Sequence, residues 1–179
     1  IRRNRADLGS SQRTHETAEL LLDRGADINA AENKNGMMAV ILAAVQGQAE
    51  TIGKLIERGA GPESHDKDGR TALMWAAHHG HAAAVKTLID RGANLEAADN
   101  QFGMTALMSA AAQNQTDAIE ILFDNGAQIN ARMKDRRTAL MLAALLGQAD
   151  TVKVLLDKGA EVNARDNGQY TALSLAKSQ

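Results

Sequence analysis

Three histidines, His78, His79 and His81, form the densest group of possible metal ligands in the sequence. A structural zinc site needs four converging ligands. The chain has no cysteine, and no acidic residue stands at a spacing that completes the group. Neighbours on a helix do not face the same way, so we expect His78 and His79 to point apart. His81 follows a glycine, which indicates a structural role at a helix start. The sequence predicts no metal and no cofactor.

Catalytic side chains are equally sparse. Ser109 and Ser174 are possible nucleophiles, but no histidine stands at a spacing that would activate either of them. Asp66 and Asp68 belong to a polar turn, which indicates solvated carboxylates. A phosphate-binding loop needs a longer glycine-rich segment that opens a helix with a lysine, and Gly69-Arg70-Thr71 is too short for one. The sequence therefore predicts no catalytic residues and a protein that is not an enzyme.

The chain repeats itself every 33 or 34 residues. Each unit ends in a Gly-Ala pair, and these pairs are Gly25-Ala26, Gly59-Ala60, Gly92-Ala93, Gly126-Ala127 and Gly159-Ala160. A second phrase recurs in step as Thr71-Ala72-Leu73-Met74, Thr105-Ala106-Leu107-Met108, Thr138-Ala139-Leu140-Met141 and Thr171-Ala172-Leu173-Ser174. A fixed period of this length is typical of a solenoid, in which units stack because one alone cannot bury its apolar face.

Within one unit, the polar segment Asp66–Arg70 predicts a tight turn. Thr71 then predicts a helix start, because its hydroxyl can cap a free main-chain N–H. Leu73 and Ala76 lie on one face of that helix. A second apolar helix follows, and Gly92 predicts its end in the left-handed conformation.

The composition supports a stack of small helices and argues against some classes of binding partner. The chain is 44% hydrophobic but only 2% aromatic, so alanine and aliphatic side chains must fill the core. The net charge of −2 argues against a nucleic-acid partner, which needs a basic stripe. No apolar run reaches the length of a membrane span. We expect a monomer in the cytoplasm that binds neither nucleic acid nor membrane, and we leave an exported or periplasmic location open.

The turn, the Thr-Ala-Leu-Met phrase and the Gly-Ala end resemble ankyrin repeats, as do the helical pairs Ala43-Ala44, Ala76-Ala77, Ala110-Ala111 and Ala143-Ala144. The resemblance implies an all-α solenoid of stacked helix-turn-helix units with projecting β-turns. The usual phrase of the family is Thr-Pro-Leu-His, whose histidine often ties neighbouring turns together. Methionine replaces that histidine at Met74, Met108 and Met141.

We interpret residues 1–179 as a single ankyrin-repeat domain. It comprises a degenerate N-terminal repeat at 1–32, full repeats at 33–65, 66–98, 99–132 and 133–165, and a truncated repeat at 166–179. The chain stops inside the first helix of that last unit, which predicts a fragment of a longer array. In the second repeat Met38 replaces the capping threonine, Gly53 interrupts a helix, and Pro62 replaces an apolar anchor. We therefore predict that the junction between repeats two and three is the least stable.

The resemblance implies a non-catalytic module that binds a partner protein through its concave face and turn tips. The residues predicted to bind the partner are Arg70, His78, His79, Phe102, Met104, Gln113, Met133, Arg136, Arg137, Leu145, Leu146 and Tyr170. We expect the contact to centre on Leu145-Leu146, an apolar pair ringed by arginines, and a longer turn to display Phe102. Trp75 is predicted to pack inside the stack, because a lone large aromatic is usually mostly buried. Two alternatives are a regulatory or spacer segment of a larger enzyme or channel, and an exported microbial effector or binder.

Overall fold

The computed structural model describes residue 17 and residues 20–30 and 34–177. Most of the predicted N-terminal repeat therefore lies outside the described residues, although residues 20–23 are helical. The helices defined within the described part are α1 (Ala39–Val45), α2 (Ala49–Glu57), α3 (Ala72–His78), α4 (Ala82–Asp90), α5 (Ala106–Ala112), α6 (Thr116–Asp124), α7 (Ala139–Leu145), α8 (Ala149–Asp157) and α9 (Ala172–Ala176). An isolated antiparallel bridge joins His65 and Thr71.

The first helix of most units begins at a threonine, as predicted. Thr71, Thr105, Thr138 and Thr171 each accept, through the side-chain oxygen, the main-chain N–H three residues on. This bond satisfies one of the N–H groups that a helix start leaves without a partner. Met38, which has no hydroxyl, stands at this position of α1.

The second helix of each unit ends at the glycine of the Gly-Ala pair. All five of these glycines lie in the left-handed region, with φ between +85° and +101°. At Gly92 the reversal lets the N–H of Ala93 donate to the main-chain oxygen of Leu88 at 3.0 Å. This is the six-to-one bond of a Schellman cap. The predicted left-handed cap is confirmed.

The helices stack in two layers. First helices contact first helices along the series α1, α3, α5, α7 and α9, and second helices contact second helices along α2, α4, α6 and α8. The alanine pairs of the first helices are buried between neighbours, together with Leu73, Leu107 and Leu140. Small side chains let these helices approach closely, which explains how a chain so poor in aromatic residues still forms a continuous core. None of the helices in the described part combines the length and hydrophobicity of a membrane span.

Main-chain hydrogen bonds tie each turn to the one before it. The N–H groups of Lys67, Asn100, Lys134 and Asn167 donate to the main-chain oxygens of Asn35, Asp68, Phe102 and Asp135, at 2.7 to 3.0 Å. The methionines that replace the family histidine are buried in the core. The turns therefore project in register through main-chain bonds.

Candidate functional site

A groove lies between repeats three and four, on the side formed by the turns and the first helices. Its volume is about 290 Å³. We call it the inter-repeat groove. The residues that line it are Arg70, Met74, Trp75, His78, Asp99, Gln101, Phe102, Met104, Ser109, Ala112 and Gln113.

The groove coincides with one small residue in a column of large ones. The fourth residue of each first helix is Leu42, Trp75, Ser109, Leu142 or Leu175. The Ser109 hydroxyl turns back to donate to the main-chain oxygen of Thr105 at 3.0 Å. Serine therefore fills less space than a leucine would, and a hollow is left beside Trp75.

Trp75 forms one wall of the groove and also packs against the core, so the prediction that it packs inside the stack is confirmed in part. It is half-buried, and its indole N–H donates to Oδ2 of Asp66 at 3.1 Å. The guanidinium of Arg70 lies over the ring, 4.8 Å from its centroid. The hydrogen bond to the turn fixes the orientation of the ring, because an indole N–H needs a partner wherever it is shielded from water.

Phe102 forms the rim of the groove. Its turn is one residue longer than the turn at Asp66, and the Oδ1 of Asp99 organises it by accepting the N–H of Phe102 at 2.6 Å and of Gly103 at 2.9 Å. The ring is 50% exposed. The longer turn thus displays Phe102 beside the hollow.

Like Ser109, Asp99 is a buried polar residue of the site. The residue is only 8% exposed, and its Oδ1 accepts the two turn N–H groups. Its Oδ2 accepts no hydrogen bond from any residue that the structure describes. At the matching turn position of repeat three, Oδ2 of Asp66 is occupied by the indole of Trp75.

The histidines converge on Trp75, which corrects the expectation that His78 and His79 point apart. Their ring centroids lie 4.9 Å from each other, and the His79 ring stacks on Trp75 at 6.0 Å. Burial, with the nearby His79 and Arg70, lowers the pKa of His78. His81 has the structural role expected, since its Nε2 lies 3.0 Å from the main-chain oxygen of Val45. No group of three His, Asp or Glu residues in the described part of the chain is arranged to hold a metal ion.

Met133 does not lie on the surface of the fifth repeat, contrary to prediction. It is 8% exposed and belongs to the hydrophobic core. It takes the first position of its turn, where Asp66, Asp99 and Asp166 are also buried. Side chains at this position point inward, so a methionine there packs in the core.

The other residues that were predicted to form the centre of binding in the fifth repeat lie partly at the surface and partly against the core. Leu146 is 47% and Tyr170 is 54% exposed, and Arg136 is exposed in the left-handed region at φ +68°. Leu145 is partly buried against the core. The Nε of Arg137 lies 3.4 Å from Asp135 Oδ2 and 3.5 Å from Asp166 Oδ2. Arg137 therefore forms an ion pair across the junction with the last unit.

The predicted residues thus fall in two groups. Arg70, His78, Phe102, Met104 and Gln113 line the inter-repeat groove, with His79 beside them, while the others belong to the fifth repeat and the turn after it. Trp75, Asp99 and Ser109 were missed. Comparison of the fourth positions of the first helices was the signal that could have found the hollow.

A comparison with known protein families agrees with this architecture. The family model described as "Ankyrin repeats (3 copies)" matches residues 9–99, 40–133, 95–166 and 131–177. A search of curated protein sequences found no match. The family matches span most of the sequence, and the described helices form the all-α repeat solenoid that such repeats build. The chain therefore belongs to the ankyrin repeat family.

Proposed function

We propose that this chain is a non-catalytic module that binds a partner protein through the inter-repeat groove and the neighbouring turn tips. Ankyrin repeats are generally protein–protein interaction modules. The general role of the family supports the binding of a protein, and the shape and lining of the groove support this location for the contact. This proposal moves the centre of binding from the fifth repeat to repeats three and four.

The observation that carries the proposal is the position of the aromatic side chains. The chain has only one Trp, one Tyr and two Phe. Trp75 and one of those phenylalanines, Phe102, face the same groove and both remain partly accessible. Partly exposed aromatic rings around a hollow are typical anchors of protein interfaces, where a few such residues supply most of the binding energy.

The groups in the groove suit binding better than catalysis. The hydroxyl of Ser109 donates to the main chain, so it is not paired with a base as a nucleophile would be. The apolar side chains of Met74, Met104 and Ala112 surround a few polar groups. This mixture resembles the core and rim of an interface.

The exposed residues of the fifth repeat form a flank of the proposed surface. Leu146 and Tyr170 offer apolar area, and Arg136 offers a planar donor at the turn tip. We propose that a partner anchored in the inter-repeat groove extends along the turn tips toward these residues, and that the chain binds it as a monomer.

Affinity capture with matched variants tests the proposal. The groove variant is Phe102→Ala with Gln113→Ala, and the control is Lys86→Ala with Glu120→Ala, which alters exposed positions of the second helices. Equal melting temperatures would establish that both variants are folded. Proteins captured by the wild type and the control should be lost by the groove variant. Equal capture by all three proteins would contradict the proposed surface.

A further inference from the structure

The groove is lined by the carboxylate of Asp99, whose Oδ2 receives no hydrogen bond from any residue that the structure describes. Asp99 is more than nine-tenths buried, and both hydrogen bonds to its side chain go to Oδ1. The carboxylate lines the groove. An ionised carboxylate accepts hydrogen bonds through both of its oxygens, so Oδ2 of Asp99 is open to a donor that enters the groove.

Repeat three shows how this acceptor is satisfied when a donor is near. There Trp75 donates its indole N–H to Oδ2 of Asp66. Ser109 replaces the tryptophan at the matching position of repeat four, and its short hydroxyl donates to its own helix instead. The same substitution therefore opens the hollow and leaves Oδ2 of Asp99 without a donor among the described residues.

The surroundings favour a long cationic side chain as the missing donor. Asp99 and Arg70 are the acidic and basic residues that line the groove, and the guanidinium of Arg70 already pairs with Asp68 of its own turn at 2.9 Å, which leaves the Asp99 carboxylate without a cationic partner. The ammonium of Lys134 is directed at the main-chain oxygen of Asn100. Met104 and the rings of Trp75 and Phe102 provide apolar walls.

We propose that the inter-repeat groove accepts a lysine or arginine side chain from the partner protein. The hydrocarbon stem of such a side chain would cover the apolar walls while its charged end donates to Oδ2 of Asp99. Arg70, whose guanidinium lies over the Trp75 ring, shows that this ring tolerates a cation beside it. This proposal rests on the proposed function and specifies the chemistry of the partner.

Two small probes of equal shape test the charge. Nα-acetyl-arginine N-methylamide carries a guanidinium, and its citrulline counterpart carries a neutral urea. Each is titrated into the full chain, and binding is followed by NMR shifts of the Trp75 indole N–H and the Phe102 and Gly103 amides. We expect the citrulline compound to bind about tenfold more weakly, because a charge-assisted bond is roughly twice as strong as a neutral one. Equal binding of both probes would overturn the proposal.

Asp99→Asn tests the acceptor with little change in size. It should weaken the arginine probe about tenfold. Asp166→Asn is the matched control, because Asp166 has the same turn position and also accepts a turn N–H through Oδ1, but lies outside the groove. It should leave the affinity unchanged. An unchanged affinity of Asp99→Asn, or an equal loss in both variants, would contradict the assignment.

Ser109→Leu tests the hollow without altering the carboxylate. Leucine is the residue found at Leu42, Leu142 and Leu175, so the first helix should accommodate it. We expect loss of the probe with the stack intact. Binding of the probe to a folded Ser109→Leu chain would show that the hollow is not its site. If that variant does not fold, Asp99→Asn still decides the question.

The two proposals can fail separately. If the chain captures a protein that is lost by the Phe102→Ala, Gln113→Ala variant but retained by Asp99→Asn, the interaction surface stands and the basic side chain is wrong. If the arginine probe binds through Asp99 and all captured proteins are indifferent to the groove variant, the site stands and the proposed function is wrong.

Discussion

The guanidinium of Arg91, just after α4, donates from Nη1 to the main-chain oxygen of Gly53, inside α2, at 2.6 Å. Its Nη2 also donates to Glu57 at 2.6 Å. One side chain therefore spans the junction between repeats two and three. A Cβ built on Gly53 would lie 3.4 Å from Nη2, which is ordinary van der Waals contact. Gly53, which has no side chain, therefore leaves space for the Arg91 guanidinium, although an alanine at residue 53 would also fit beside it.

Gly53→Ala should stabilise the chain by about 0.5 to 1 kcal/mol, because alanine loses less conformational freedom in a helix than glycine. Urea unfolding measures the change. The same substitution in an Arg91→Ala background is the control, since the contact with the guanidinium is then removed. A loss of stability that occurs only when Arg91 is present would show that the methyl group displaces the bridge.

Residues 37–64 should exchange their amide hydrogens faster than residues 105–160. Met38 provides no hydroxyl cap, Gly53 weakens α2, and Pro62 replaces an apolar anchor. In a linear array such weakness stays local. Native-state hydrogen exchange measures it. Equal protection in the two segments would contradict the predicted weak junction between repeats two and three.

Gly92→Val should destabilise the chain by about 1 kcal/mol or more, because a β-branched residue strongly disfavours positive φ. Gly92 has φ +85°, and no described atom lies within 4 Å of a Cβ built there. The cost is therefore one of backbone conformation and not of a clash. Gly92→Asn should lose less, since asparagine tolerates this region better. Urea unfolding curves that are identical for valine and glycine would refute the left-handed cap.

Arg137→Ala should weaken the junction with the last unit by about 0.5 to 1 kcal/mol, which is the range for a partly exposed ion pair. Its Nε faces the buried Asp166 of that unit at 3.5 Å. Hydrogen exchange in residues 166–177 should become faster. Leu146→Ala is the control, and its exposed side chain predicts little change. Equal effects of the two substitutions would show that Arg137 does not stabilise the junction.

His78 should make stability depend on pH in a defined direction. Burial, then the neighbouring His79 and Arg70, lower its pKa below the ordinary value of 6.5. As the pH falls through 6.5, His78 is therefore protonated in the unfolded chain before it is protonated in the folded chain. His78 should not affect stability above pH 6.5, and stability should fall as the pH drops from 6.5 toward the lower pKa of the folded state. Melting temperatures of the wild type and His78→Gln across this range measure the effect, and parallel curves would contradict it.

The sequence predicts the fold well because each unit carries its own local instructions. Thr71 caps a helix through its hydroxyl, and Gly92 ends one through its freedom at positive φ, so neither depends on distant parts of the chain. Repetition then confirms each local interpretation several times. Stacking follows because one pair of helices cannot bury its apolar face alone.

The site was harder to predict, because it depends on differences between neighbouring units. Ser109 becomes informative only when it is aligned with Trp75 and Leu142, and the orientation of Trp75 depends on a bond to Asp66 in its own turn. Met133 was misplaced because it stands in a turn, and the turn tips were predicted to contact the partner. The inward direction of the first turn position could have been inferred from the regular aspartates at 66, 99 and 166.

The hydrogen bonds from turn to turn make the units interchangeable. Each turn offers one main-chain donor to the turn before it and one acceptor to the turn after it, and the longer turn adds its extra residue between Asn100, the donor, and Phe102, the acceptor. Excision of residues 99–132 would therefore bring the N–H of Lys134 to the oxygen of Asp68 and leave neither group orphaned. We expect such a shortened protein to keep its stack and to lose the inter-repeat groove, which residues 99–132 help to form. Gain or loss of whole units is thus a route by which this architecture can acquire or discard a partner without redesigning its core.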